Sequence, residues 1–461
     1  MIVVEAPEAR RPERRYVLDV VLGEFLGLDY ELRAGPGPGV TIACRAAEGL
    51  IRCPDLLLGV PDREWLTAGS MPRLPLASMD PGALEPSPAG VERGLPVLYG
   101  DGTCRRSGST LELGIDVFGS CFFLLARYEE LATRTRDAHA RFPASASVMG
   151  QAGLLARPLV NEYVEVLRAA IEGLWPAIRT RRREFRMCPT HDVDIPFLYG
   201  FEGPTRAIKR GLRDLVRRRR PASLVSPLVT WARVASGNRG ADPYNTFSYL
   251  CDQSEKRGLS SVFNFIAGVT NPEFEGRYRI DHPWIVDIIR EAGSRGHAIG
   301  LHGSYGSYLD GEALARERRT LMAACGTAGL SAPVDSGRQH FLRMSFPDTL
   351  VLQEDAGLRF DSTLGFADHV GFRCGTCYEY PVFSIPGRRV LAVRERPLIA
   401  MDATVFGEKY MNLKPDGGAF DLLAGLKARC RAFGGDFVLL WHNLHLYSPE
   451  KRRLYESLLD A

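Results

Sequence analysis

Apolar positions along this chain first form a mixed order of helices and short strands, and later a regular alternation. From Tyr16 to Leu32 (YVLDVVLGEFLGLDYEL) they fall at helical intervals and predict one helix. Short strand-like runs follow at Val40–Ala43 and Pro96–Tyr99, between turns rich in glycine and proline. Asp116 to Glu130 predicts a strongly apolar helix ending in charge, and Leu159 to Ile178 an amphipathic one. Beyond Asp242 a strand over 260–266, a helix over 283–292, a strand over 297–302 and a further helix succeed one another. Strand then helix, repeated, implies parallel strands joined by crossover helices. A boundary falls near the basic run Arg179 to Arg183. Residues 1–180 are expected to form a smaller mixed α/β domain, and 181–461 a second α/β domain.

One stretch of this pattern carries chemistry. Met187-Cys-Pro-Thr190-His191-Asp192-Val193-Asp194-Ile195-Pro196 ends an apolar run on two aspartates spaced i, i+2. At the end of a strand that spacing points both carboxylates to the same side. Two carboxylates facing one point need a cation between them or a shared proton, which suits a metal ligand beside a general base. A helix cap or Asx-turn would use the same residues. Eight of the nine histidines lie after residue 190. His302 and His442 close apolar runs, and His340 follows Arg338 after a glycine turn. Aspartate with histidine is a ligand set for zinc and related divalent metals. In parallel α/β folds such residues gather at the C-terminal ends of the strands.

Composition narrows the setting. A length of 461 residues makes two domains the natural expectation, and a formal charge of +3 is small for that length. Nothing global points to nucleic acid; the run Arg217 to Arg220 lacks aromatic interleaving and reads as a solvated helix end. No stretch has the roughly 20 apolar residues of a membrane span, and the N-terminus lacks a signal-like apolar core. Ten scattered cysteines do not form a secreted disulfide framework, so a cytoplasmic location is expected. Cys374-Gly-Thr-Cys377 reads as two structural cysteines around a glycine turn, since no second pair completes a zinc set.

With these motifs in order, residues 187–446 resemble the polysaccharide deacetylase family, the NodB-homology carbohydrate esterases. That resemblance implies a distorted (β/α) barrel and a metal site that removes N- or O-acetyl groups. Thr190-His-Asp192-Val-Asp194 is similar to the first family motif, which implies Asp192 as general base and Asp194 as metal ligand. Gly296-His-Ala-Ile-Gly-Leu-His302 resembles the approach to the second, implying His302 as ligand. Arg338 resembles the arginine that orients the base. Leu440-Trp-His442 resembles the last motif, implying His442 as general acid. Asp361, at the place of a fourth motif, and Leu440 are expected beside the substrate. The whole chain is similar to a cytoplasmic branch of this superfamily that carries an extra N-terminal domain and accompanies surface-polysaccharide genes.

The resemblance breaks at one position. The second motif carries another histidine four residues after the first, and here Gly306 stands there. Catalytic zinc typically keeps three protein ligands. His340 is the candidate for the missing nitrogen, with a substrate contact as its alternative role. Arg373, on the glycine-flanked loop Gly371-Phe-Arg373-Cys-Gly-Thr, suits either a carboxylate or phosphate of the substrate or a structural salt bridge. The expected function is metal-dependent hydrolysis of an acyl group, most simply N-acetyl, on a sugar or surface-polysaccharide precursor. An amidase for another acyl group and a non-catalytic carbohydrate-binding protein are the alternatives.

Overall fold

The computed structural model describes residues 1–201, 203–205, 208–209 and 222–461; the basic run 217–220 lies outside them. Eight strands belong to the first part: β1 (Ile2–Ala6), β2 (Tyr30–Ala34), β3 (Gly39–Cys44), β4 (Ala47–Pro54), β5 (Ala77–Met79), β6 (Leu95–Val97), β7 (Gly100–Ser107) and β8 (Thr110–Ile115). Six of them form one sheet in the order β2-β1-β3-β4-β8-β7, while β5 and β6 pair separately. The helix expected over 16–32 is shorter. Helical structure runs from Arg11 to Phe25 and stops before Gly27, whose φ of 68° helical geometry does not allow. The chain then turns into β2, so Tyr30 and Leu32 are strand residues. The helix expected over 116–130 is two helices, Val117–Leu125 and Tyr128–Ala132, divided at Arg127 with φ 47°.

Nine strands follow among the described residues: β9 (Arg186–Val193), β10 (Val262–Ile266), β11 (Ala298–Gly303), β12 (Ser336–Gln339), β13 (Phe360–Asp361), β14 (Tyr380–Ser384), β15 (Arg389–Glu395), β16 (Ala400–Met401) and β17 (Asp436–Leu440). They form one sheet in the order β14-β15-β13-β12-β11-β10-β9-β17-β16, parallel throughout except for the β14–β15 hairpin. The expected strand–helix alternation is present, with helices such as Pro283–Ser294 and Gly311–Thr327 between successive strands. In a flat sheet β12 and β9 would lie about 14 Å apart, three strand spacings. Yet Arg338 of β12 places its Nη1 2.9 Å from the Asp192 Oδ1 of β9, so the sheet curls inward on this face. It curls without closing: β14 and β16 are the two edges and do not pair with each other. The expected barrel is therefore an open one.

The first part of the chain covers the β14 edge. Tyr16 stacks on Phe383 with centroids 4.9 Å apart and donates to the Pro381 carbonyl at 2.9 Å. Covering an edge in this way removes a row of unpaired backbone groups from water. Buried residues of both parts, from Ile2 to Leu459, belong to one continuous hydrophobic cluster. Cys374 and Cys377 are buried and unpaired, and Gly375 between them has φ 63° where a Cβ would meet Leu124. No helix among the described residues is long and apolar enough to cross a membrane.

Candidate active site

The site is built at the C-terminal ends of β9, β11, β12 and β17. Asp192 is the penultimate residue of β9, and its Oδ1 accepts from Arg338 Nη1 at 2.9 Å and from Asn264 Nδ2, on β10, at 2.8 Å. Its other oxygen faces the centre, 3.7 Å from His302 Nε2. Burial raises the pKa of this carboxyl, but Arg338, His302 and His442 outweigh it and hold the group below the usual carboxylate range. Asp192 is therefore held as a carboxylate with Oδ2 turned to the centre.

Asp194, two residues on, faces the same centre. Its Oδ1 lies 3.2 Å from His302 Nε2 and 3.7 Å from His340 Nε2. His302 Nδ1 donates to the Arg338 carbonyl at 2.9 Å, which turns Nε2 toward Asp194. His340 Nδ1 points toward Glu275, 3.8 Å from its Oε2. Glu275 is itself held by the backbone N–H groups of Thr270, Asn271 and Tyr305. Three ligand atoms around a tetrahedral zinc at 2.0–2.1 Å would sit about 3.3–3.4 Å apart. The observed spacings straddle that value. Asp194 Oδ1 is also buried with no hydrogen bond of regular geometry and faces the two imidazole nitrogens, a position that a cation could share with it. Asp194, His302 and His340 therefore fit a divalent metal.

A second group of the same residue types lies beside the first. Asp402, the first residue of the helix Asp402–Phe406, accepts from His442 Nδ1 at 2.6 Å and from His445 Nδ1 at 2.8 Å. It also accepts from the backbone N–H of His442 and of Ala403, each at 2.7 Å. These are direct hydrogen bonds, too short for an ion to lie between the partners. Burial lowers the His442 pKa, and the Asp402 carboxylate more than offsets it, pushing the imidazole up to about 10. His442 Nε2 points back to the first group, 3.6 Å from Asp194 Oδ2. A raised imidazole and a lowered carboxyl thus line one cavity, the pKa order found in paired acid–base sites.

Asp192, Asp194, His302, His340 and His442 line a cavity of about 230 Å³ together with Arg141, Tyr410 and Phe341. The structure thus brings together Asp192, Asp194, His302, Arg338, His340 and His442. The substrate contacts expected at three other residues are replaced by structural ones. Arg373 is buried, with Nε and Nη2 on Glu130 at 3.0 and 2.7 Å and Nη1 on the Gly365 carbonyl, a salt bridge between the two parts of the chain. Asp361 is turned to Gln353 and Thr363, which donate to it at 2.6 and 2.7 Å. Leu440 is wholly buried beside Leu342, Met401 and Val438. Asn264, Glu275, Asp402 and Arg141 were not anticipated. Asn264 interrupts the apolar run Val-Phe-Asn-Phe-Ile, a signal that could have exposed it; Glu275 and Arg141 have no such signal.

Comparison with known proteins adds little to this geometry. A model described as "Family of unknown function (DUF7033)" matches residues 64–176. No curated relative matches the sequence. The solved structures to which the chain is similar include proteins titled as polysaccharide deacetylases. For the one from Mycobacterium smegmatis the identity is 17% over 61% of this chain and 84% of the other, with a TM-score of 0.38. For the one from Pseudomonas aeruginosa PAO1 it is 14% over 60% and 84%, with a TM-score of 0.34. Puue allantoinase is similar at 14% identity over 60% of this chain and 83% of its own, with a TM-score of 0.35.

Proposed function

We propose that this protein is a metal-dependent hydrolase that removes an acyl group, most simply N-acetyl, from a sugar or surface-polysaccharide precursor. The observation that carries the reading is the convergence of Asp194 Oδ1, His302 Nε2 and His340 Nε2 on one point, in a cavity that Asp192 and His442 also line. A divalent ion held by Asp194, His302 and His340, zinc being the first choice for this ligand set, would polarise the acyl oxygen and make bound water more acidic. Asp192 takes the proton of the attacking water through its free Oδ2. Arg338 and Asn264, bound to Oδ1, hold that carboxylate ionised and aimed. When the carbon–nitrogen bond breaks, His442 Nε2 donates its proton to the leaving amine, and Asp402 stabilises the imidazolium before transfer. The water hydroxyl ends on the acid, and its proton stays on Asp192 until release.

The test is zinc loading of the purified protein followed by acetate release from N-acetylated sugars. Close to one zinc per chain and release that depends on it support the reading. A chain that takes up zinc, cobalt and manganese at none of its sites would overturn it and favour carbohydrate binding without turnover. Release of a different acid from a panel of amides would keep the mechanism and change the acyl group.

A further inference from the structure

His340 stands where the chain is conformationally costly. It is followed by Phe341 at φ 61°, ψ 11° and Leu342 at φ 55°, two consecutive non-glycine residues in the left-handed region. Neither side chain suits that region, and such backbone persists only where its surroundings over-determine it. Leu342 is fixed from inside by the buried cluster with Leu398, Met401 and Leu440. The other side of the turn is gripped from outside the curled sheet. Arg141 Nη1 donates to the Phe341 carbonyl at 3.1 Å, while Nε is held by Asp137 at 2.7 Å and Nη2 by the Tyr410 hydroxyl at 3.2 Å. The His139 ring packs on the Phe341 ring with centroids 4.8 Å apart, and its carbonyl accepts from Arg343 Nε at 2.8 Å. The gripping segment is itself shaped in advance, since Asp137 Oδ1 accepts from the backbone N–H of His139 and Arg141.

We infer that residues 137–141 clamp the Phe341 turn and thereby position His340, with Arg141 and His139 as positioning residues for the metal ligand. The inference rests on the metal-dependent reading above. It gives part of the region matched by the family of unknown function a role at the site. It also accounts for how the chain manages with Gly306 in the second motif. A ligand taken from a left-handed turn needs a brace, and the N-terminal part supplies it.

Zinc affinity of the full chain, measured by competition with a chromophoric chelator, tests the clamp. Arg141→Ala should weaken binding by about 10–100-fold, the scale of changes that act through a ligand's support. His139→Ala, which leaves the guanidinium in place, should shift affinity in the same direction. Neither change should weaken binding further in a His340→Ala background, because the ligand it supports is gone. Unchanged affinity in Arg141→Ala, or equal losses with and without His340, would overturn the clamp. Hydrogen exchange on the metal-free chains gives a readout independent of the ion. The amides of residues 341–343 should exchange faster in Arg141→Ala than in wild type, and identical exchange would overturn the clamp. A wild type that binds no zinc would overturn the metal reading, and the exchange comparison would still decide whether the turn is braced.

Discussion

Two groups of one aspartate and two histidines lie side by side in this protein, and composition alone cannot tell them apart. Around Asp194 the nitrogens stand 3.2 and 3.7 Å from a carboxylate oxygen that has no hydrogen bond of regular geometry. Around Asp402 they stand at 2.6 and 2.8 Å, and the same carboxylate takes two backbone N–H groups as well. The first group is open at its centre and the second is saturated. A metal site needs ligands held apart with lone pairs unspent, whereas an acid–base pair needs them in contact. A difference of 0.6–0.9 Å separates the group with room for an ion at its centre from the one closed by direct hydrogen bonds.

The largest effect expected from this contrast is in metal content. Asp194→Asn and His302→Ala should leave almost no zinc in the purified protein, while Asp402→Asn and His445→Ala should keep about one per chain by elemental analysis. Zinc lost equally from both groups of variants would erase the distinction. In turnover, His442→Ala should cost roughly 10²–10⁴-fold with the metal retained. Asp192→Asn should cost a similar factor and also lower thermal stability. It leaves Arg338 as an unpaired charge in a fully buried ion pair, a loss on the order of 3–5 kcal/mol. A neutral effect of Asp192→Asn on both quantities would remove it from the mechanism.

Asp402→Asn should have a smaller effect, about 10–100-fold in kcat, since it weakens the support of the acid without removing it. A further effect, on stability alone, concerns a histidine of neither group. His191, on β9, is buried with Nδ1 2.7 Å from the Trp441 carbonyl. Burial depresses its pKa from 6.5 to about 4, only partly offset by that hydrogen bond. The unfolded chain therefore takes up the proton first. The contribution to stability is full above pH 6.5 and is lost as pH falls through about 4, amounting to about 3 kcal/mol. Thermal unfolding of His191→Gln should show a flatter dependence between pH 6.5 and 4 than wild type. Equal slopes would mean that His191 is already charged in the folded protein.

Where sequence reading and structure part, the cause is usually a single residue. The helix expected over 16–32 stops at Gly27 because apolar periodicity does not register a positive φ. The helix over 116–130 breaks at Arg127, whose guanidinium reaches Glu129, Glu130 and the Arg373 carbonyl. For Arg373 the sequence left a substrate contact and a salt bridge open, because its partner, Glu130, is 243 positions away. Asp402 sits 40 positions from His442, and Glu275 lies 65 positions before His340, so neither pairing leaves a local trace.

What the sequence determined by itself was the set of strand-end residues and their order. Asp192 and Asp194 share a face through the two-residue period of a strand, and His302, Arg338 and His442 each close or follow an apolar run. Those are local facts, carried by spacing. Tertiary structure decided the rest, because curling of the nine-stranded sheet sets which strand ends meet and at what separation. It brings Arg338 across three strand spacings to Asp192, leaves Asp194 with an unspent oxygen, and gives His442 a carboxylate that keeps it charged. It also lays residues 137–141 against a left-handed turn that the sequence near His340 does not announce. Distances of this kind are set by packing between residues remote in the chain, and no local periodicity encodes them.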